Sequence, residues 1–361
     1  MTSTALDRAT DAGTVEESLR GYHREWYVVR PRQKVPGVPR LKVGAPRDNA
    51  LWFDRRCFVS EDDLLRELAS RAIPRIPTVH RLASGSDSHR FVEGTSLDTL
   101  HPAEGPVPLA YLNQIMEVFG RLAAVRPGEL LTSRLCSPEE RPREGDSAGF
   151  LAGLLRFTRK QGYRRHIPRY GRLFRHLGLP RDALGPRSAL ASEAAQLTGR
   201  PFCLLHGDLH RANLIVDASG MVWTVDWELA MLGDPLYDLA THLHLTHYPP
   251  EQEREVIRRW RATLSGALPG ATTGMDEDLP RYLAYKRAQS VYTDVVRHAS
   301  ALRDIRSPTQ RNEQLRDSAK TVHRIIRRAA DALELRDVPG PGEVEAAYRT
   351  FGAVRPVRAQ R

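Results

Sequence analysis

The stretch Leu205-His206-Gly207-Asp208-Leu209-His210-Arg211-Ala212-Asn213-Leu214-Ile215-Val216 sets a carboxylate five residues before an amide, at the mouth of an apolar run. A second apolar run ends on Val225-Asp226-Trp227-Glu228, and Gly233-Asp234-Pro235-Leu236-Tyr237-Asp238-Leu239-Ala240 follows. Read as strand, loop, strand and returning strand, this order brings Asp208, Asn213 and Asp226 to one point. Three oxygen donors meeting in this way suit the transfer of a phosphoryl group. Asp208 is the candidate base for a hydroxyl nucleophile, and Asn213 and Asp226 are candidate ligands of the Mg2+ that bridges the phosphates. Asn adds a carbonyl oxygen without a third negative charge, which suits a site already crowded with carboxylate and phosphate. His206 belongs to the same catalytic loop and is expected to orient it rather than to react. A lone His-Gly-Asp is ordinarily a turn capped by its Asp side chain. The whole ordered set carries the expectation.

The chain that must position these residues changes character near residue 105. Before it, Glu25–Arg30 and Arg40–Val43 read as strands joined through a turn at Pro36-Gly37. Leu64, Leu65 and Leu68 recur with helical spacing behind Ser60, a plausible N-cap, and Pro74 and Pro77 end that helix. Thr78–Leu82 and His89–Glu93 read as a hairpin turning at Gly85. After it, 109–124, 188–197, 250–265, 279–302 and 308–333 carry amphipathic stripes. Only 202–205, 214–216 and 221–225 interrupt them as short strands. This predicts an α+β fold of two lobes: a flexible tail at 1–20, a sheet-rich N-lobe with one helix at 21–100, and a larger helical C-lobe at 101–337 holding the catalytic loop at 205–240. A C-terminal tail at 338–361 adds a short helix near 343–351 and a basic end. A groove between lobes is the natural ligand site.

The N-terminus, MTSTALDRATDAGTVEES, lacks the apolar core of a secretory signal, and no run approaches the ~20 apolar residues of a membrane span. Cys57, Cys136 and Cys203 are too few and too irregularly spaced for a disulfide framework or a four-ligand zinc site. A cytoplasmic protein is expected, with no membrane partner. The net charge of +10 raises nucleic acid as a partner, but charge speaks to solubility and steering rather than fold, and this reading is disfavoured. The run from Arg156 to Arg175, with Tyr163, Tyr170 and Phe174 interleaved, reads either as a solvated helix face or as a surface for stacking nucleosides or RNA.

The HGDLHxxNL, VDWE and GDPxYDLA motifs, beginning at His206, Val225 and Gly233, resemble the aminoglycoside phosphotransferase and choline kinase family, whose fold is protein-kinase-like. The likeness is close over about 200–245 and looser, by order of elements, over 25–330. It implies Mg2+, ATP or GTP as co-substrate in the interlobe cleft, Asp208 as base, and Asp238 bracing the catalytic loop through buried hydrogen bonds. In a kinase-like N-lobe a strand Lys meets the phosphates and pairs with a helix Glu. Lys42 and Glu61 are the candidates, with Glu67 competing for the pairing. Phe91, Val92 and Glu93 resemble the hinge that holds the base. One departure stands out: no glycine-rich loop precedes Lys42. Arg20-Gly21-Tyr22 is poor in glycine, so phosphate charge falls to a degenerate loop or to arginines such as Arg30 or Arg40.

Glu228, Asp234, Asp294 and Arg297 are candidate acceptor-side groups, together with Tyr282, Tyr285 and Tyr292, although helix packing is the better account of the tyrosines. The arginine-dense run argues against a polycationic acceptor. The expected substrate is therefore a hydroxylated antibiotic or related natural product. Alternatives are a metabolic kinase of choline, an amino alcohol or a sugar, a non-catalytic kinase-like regulatory protein, and RNA or nucleotide binding through Arg156–Arg175.

Overall fold

The computed structural model describes residues 4–21, 23–47, 50–71, 73–82, 84–137 and 141–353. Its first element is α1 (Thr4–Ala12), followed by β1 (Gly13–Arg20), β2 (Arg24–Pro31) and β3 (Leu41–Pro46). After α2 (Glu61–Ser70) come β4 (Val79–Arg81) and β5 (Asp87–Arg90), and the five strands form one antiparallel sheet in the order β1-β2-β3-β5-β4. Val29, Leu41 and Val43 from this sheet pack with Ala9 and Ala12 of α1 in one apolar cluster. Residues 4–20, expected as part of a flexible tail, are thus helix and strand. Ala5, Ala9 and Ala12 form a narrow buried stripe, and β1 pairs with β2 from Gly13↔Pro31 to Arg20↔Glu25. Alanine buries too little area, and Glu16, Glu17 and Ser18 too much polarity, for either element to stand out by hydrophobic pattern.

The N-terminus of α2 follows from local chemistry. Ser60 Oγ accepts the Asp63 N–H at 3.1 Å, and Glu61, Asp62 and Asp63 put negative charge at the positive end of the helix dipole. Leu64, Leu65 and Leu68 face the core, as their spacing predicts.

Beyond β6 (Thr95–Ser96) helices dominate: α3 (Leu97–Leu100), α4 (Leu109–Ala123), α5 (Ser147–Thr158), α6 (Ile167–His176) and α7 (Ala189–Ala194). Four short strands follow, β7 (Cys203–Leu205), β8 (Leu214–Val216), β9 (Val222–Thr224) and β10 (Met231–Gly233), building a β6-β8-β9 sheet and a β10-β7 pair. The chain closes with α8 (Pro235–Thr246), α9 (Pro250–Ala267), α10 (Met275–Asp304), α11 (Pro308–Arg328) and α12 (Pro341–Ala353). Among the described residues, no helix is long and apolar enough to cross a membrane.

The chain divides into two compact units, Met1–Gly145 with Arg200–Thr273, and Asp146–Gly199 with Gly274–Arg361. The first contains the five-stranded sheet and every residue of the phosphoryl-transfer motif. Its second segment is anchored at its start by Arg200, whose Nη1 donates to Asp234 Oδ2 at 2.6 Å and whose Nε donates to the Thr273 carbonyl at 2.8 Å. Asp234 also caps α8, accepting the Leu236 N–H at 2.9 Å. Both side chains are fully buried, so truncating one strands a charge. Arg200→Ala should therefore cost about 3–5 kcal/mol in urea unfolding; a loss below about 1 kcal/mol would rule out this anchoring role.

In the second unit, α5 runs through a π-helical turn (Arg159–Tyr163) into α6. Arg156, Arg164, Arg165, Arg169, Arg172 and Arg175 are exposed, while Tyr163, Tyr170 and Phe174 are buried. Tyr163 and Phe174 pack against Tyr292, with ring centroids 5.1 and 5.7 Å away. The interleaved aromatics point inward, which removes the stacking platform that base binding needs. Tyr285 and Tyr292 are likewise committed, their hydroxyls bonded to Thr158 Oγ1 at 2.9 Å and to the Pro180 carbonyl at 2.8 Å. Asp294 and Arg297 pair with each other at 2.8 Å on α10. The C-terminal helix α12 is docked rather than trailing, as Tyr348 donates to the Val295 carbonyl at 3.0 Å. The basic end beyond residue 353, and Tyr22 of the expected phosphate loop, lie outside the described residues.

Candidate active site

The centre is built from a strand, a loop and a hairpin, all within the first unit. β7 delivers His206 and Gly207, and the Asp238 carboxylate accepts both of their N–H groups, at 3.0 and 2.8 Å. Gly207 has φ +79°, and a Cβ there would lie 2.3 Å from the Leu229 carbonyl oxygen, so this turn requires glycine. Asp238 is 2% exposed and braces the loop from within. Two residues that the sequence reading passed over complete the brace. His242 Nδ1 donates to the Leu209 carbonyl at 2.7 Å while its Nε2 accepts from Tyr248, and burial keeps this imidazole neutral, with its pKa lowered to about 4. Arg211 gives its guanidinium hydrogens to the carbonyls of His101, Pro102, Gly105 and Thr246.

His206 is fully buried, and its Nδ1 accepts the Asp208 N–H at 3.3 Å. Burial, helped by the neighbouring His210, lowers its pKa to about 4, against the pull of Asp208. A neutral ring committed to the loop backbone orients Asp208. Asn213 sits at the start of β8 and donates through Nδ2 to the Asp208 carbonyl at 2.9 Å and to Asp208 Oδ2 at 3.1 Å. His210 Nε2 lies 3.4 Å from the same Oδ2. Burial disfavours the charged His210 ring, but the Asp208 hydrogen bond and charge outweigh it and raise its pKa.

The hairpin works as the spacing predicts. Leu214 faces Thr224 across β8 and β9, and the Val225 N–H bonds the Asn213 carbonyl at 3.0 Å, so Asp226 emerges beside Asn213. Asp226 is held in a left-handed conformation, φ +66°, a sparsely populated state for a non-glycine residue. Negative charge accumulates around it. Burial, then the Glu61, Glu228 and Asp208 carboxylates, raise the Asp226 pKa to about 7, and Lys42 only partly offsets them.

Glu61 is 6% exposed; Oε1 accepts the Trp227 N–H at 2.9 Å, and buried Oε2 has no hydrogen-bond partner. Its rival Glu67 is occupied elsewhere, accepting from the Leu131 and Thr132 N–H groups and from Thr132 Oγ1 at 2.6 Å. Among the described residues Lys42 and Glu61 form no ion pair; the Lys42 ammonium lies 4.2 Å from the centroid of the Trp26 ring.

The expected hinge is clasped by Arg40, which pairs with Glu93 and lies 4.6 Å from the centroid of the Phe91 ring. Arg30 pairs with Glu16 at 2.7 Å, so neither arginine named for phosphate is uncommitted. Gly94 (φ +155°) lets the chain pass the Val216 carbonyl, which a Cβ would approach to 2.3 Å. Among the described residues the Val92 N–H has no partner. In the turn between β1 and β2, His23 was missed by sequence reading altogether. It stacks on Trp52 at 3.9 Å, with Nδ1 2.5 Å from Glu228 Oε1 and Nε2 3.2 Å from the Leu51 carbonyl.

A magnesium ion fits these residues. An orphaned buried carboxylate oxygen and a raised Asp226 pKa mark surplus negative charge, and Asp208, Asn213 and Asp226 are hard oxygen donors. Among the described residues no three His, Cys, Asp or Glu side chains gather closely enough to hold a metal alone.

Residues 47–277 match the family model APH, phosphotransferase enzyme family. The chain belongs to that family. No curated protein matches it in sequence. Its phosphotransferase fold is shared with a thermostable mutant of aminoglycoside phosphotransferase APH(4)-Ia in a ternary complex with ADP and hygromycin B, at TM-score 0.52 and 16% identity, over 98% of this chain and 100% of that one. It is also shared with the apoenzyme of macrolide 2'-phosphotransferase MphH from Brachybacterium faecium, at TM-score 0.51 and 16% identity, over 92% and 99% of the two chains. The phosphotransferase motif lies inside the matched region, and α1, β1 and β2 lie before it.

Proposed function

We propose that this phosphotransferase moves the γ-phosphoryl group of ATP or GTP onto a hydroxyl of an antibiotic or related natural product. The observation that carries the reading is the Asn213 side chain bonded to Asp208, with the Val225 N–H on the Asn213 carbonyl setting Asp226 alongside. Asp208, held by Asn213 and by the His206 loop, takes the proton from the acceptor hydroxyl as the new P–O bond forms and the bond to the nucleoside diphosphate breaks. Asn213 and Asp226 would hold Mg2+, which neutralises phosphate charge when bound. Lys42 supplies positive charge near Asp226, and the Val92 N–H offers a donor to the base. His206 and Asp238 act as positioning groups. The antibiotic class of acceptor rests on the two proteins that share the fold, one a macrolide phosphotransferase and one bound to hygromycin B.

The test is a product screen with radiolabelled ATP and GTP against macrolides, aminoglycosides, nucleosides, choline and other amino alcohols. A phosphorylated antibiotic supports the proposal. Phosphocholine or a sugar phosphate would replace it with a metabolic kinase, and nucleotide binding without any product would replace it with a regulatory protein.

His23 replaces part of what a glycine loop would do. Its contact with Glu228 ties the β1–β2 turn to the residue two beyond Asp226. Removing a charge-assisted hydrogen bond of this kind costs about 1.5–3 kcal/mol. His23→Ala should raise the KM for nucleotide roughly tenfold with kcat within about threefold, and His23→Gln should recover part of the loss. An unchanged nucleotide KM in His23→Ala would remove this role.

A further inference from the structure

A cavity of about 420 Å³ opens where the end of α10, the start of α11 and the end of α12 come together. All three helices belong to the second unit, so the cavity shares no residue with the phosphoryl-transfer motif. Its volume is that of a small-molecule site. Two kinds of surface line it. Leu302, Leu315 and Tyr348 are buried and form an apolar wall. The Tyr348 hydroxyl is bonded to the Val295 carbonyl at 3.0 Å, so what this residue offers a ligand is its ring. Phe351 adds a second ring, packed on Tyr170 with centroids 5.3 Å apart. Arg303, Arg306, Arg311 and Arg349 make up the other surface, and among the described residues no acidic side chain lines the cavity.

The charge there is unbalanced. Arg349 is engaged by Glu345 at 2.7 Å and by Asn312 Oδ1 at 3.3 Å. Among the described residues Arg303, Arg306 and Arg311 have no ion-pair partner. The first turn of α11, which starts between Arg306 and Arg311, contains no acidic residue. The Arg311 guanidinium reaches from α11 to the end of α12, where a Cβ on Gly352 would come within 2.9 Å of Nη2. The sequence after Ala353, VRPVRAQR, brings three more arginines and no acid, so it supplies no counter-charge. Like charges gathered beside an apolar wall raise the local concentration of anions, and the planar guanidinium fork matches a carboxylate or phosphate.

We propose that this cavity is a binding site for an organic anion whose compact apolar body carries a phosphate or carboxylate head. The body lies against Leu302, Leu315, Tyr348 and Phe351, and the head faces Arg303, Arg306 and Arg311. A bare phosphate would leave the apolar wall wet, and a neutral ligand would leave the arginines without a partner. The site does not depend on the proposed substrate or nucleotide.

The full-length chain is titrated calorimetrically, without nucleotide or Mg2+, with naphthyl phosphate, naphthoate, naphthalenemethanol and inorganic phosphate. At least one naphthyl anion should bind saturably at a single site, with the neutral alcohol and inorganic phosphate at least about tenfold weaker. Tighter binding of either anion supports the proposal and assigns the head group. Arg306→Ala combined with Arg311→Ala should weaken that anion at least about tenfold and leave the alcohol unchanged. Both arginines are exposed, so the variant should fold as the wild type does. No saturable binding, equal affinity for naphthalenemethanol, or wild-type affinity in the double variant would overturn the proposal. Hydrogen exchange on the wild type locates the ligand: the anion should slow amides within 299–315 and 344–352. Protection confined to 205–228 would assign the binding to the catalytic loop and overturn the proposal without recourse to any variant.

Discussion

Asp208→Asn should lower kcat by roughly 10²–10⁴-fold while leaving nucleotide affinity nearly unchanged. The substitution keeps the shape of the side chain and leaves an amide oxygen able to accept from Asn213 Nδ2, which lies 3.1 Å from Oδ2 in the wild type. What it removes is the ability to receive a proton from the acceptor hydroxyl. The side chain is 26% exposed and carries no buried structural load, so stability should stay within about 0.5 kcal/mol of wild type. Single-turnover kinetics with the acceptor found by the product screen, alongside nucleotide titration, separates the two quantities. A variant that keeps a tenth or more of the wild-type kcat would show that another group accepts the proton.

Asp226→Asn should have two effects of opposite sign. Catalytically it removes the charged member of the proposed magnesium-holding pair, and kcat/KM should fall by about 10² or more. Thermodynamically it should stabilise the metal-free protein at alkaline pH. The Asp226 carboxyl titrates at about 7 in the folded chain, against 3.8 for an unperturbed Asp, because of burial first and then the Glu61, Glu228 and Asp208 charges. A folded-state pKa above the unfolded value means that the protonated carboxyl favours folding. That contribution is complete below the unfolded pKa and disappears as pH rises through about 7.

The metal-free wild type should thus lose stability, by a few kcal/mol at most, between about pH 4 and pH 8, and Asp226→Asn should lack this loss. Thermal unfolding at about pH 6 and about pH 8 measures it. Mg2+ with nucleotide should raise the wild-type Tm most at the higher pH, where no proton competes for the carboxylate, and should do little for the variant. Parallel pH profiles in the two proteins would mean that Asp226 does not carry the excess charge.

The arrangement of the motif was legible in the sequence because it is local. Five residues separate Asp208 from Asn213, and one tight hairpin returns Asp226 to them, so strand alternation and turn length suffice to bring three donors together. The Ser60 cap, with its bond to Asp63 three residues on, was readable for the same reason. Partner choice across long loops was not. Glu61 and Glu67 are both acidic residues of one helix, and only the Leu131 and Thr132 amides, more than sixty residues away, take one and leave the other on the Trp227 N–H beside Asp226. His23 meets Glu228 across 205 residues, and the segment before α2 pairs with a distant one at Phe58↔Arg134, which neither spacing nor composition foretells. The arginine run shows the same limit, since its composition allowed the aromatics to face either way and packing against Tyr292 turned them inward. Helix caps, turns and strand periods are set by neighbours within a few residues. Which of several similar side chains is buried, and against what, depends on the packing of elements distant in the chain.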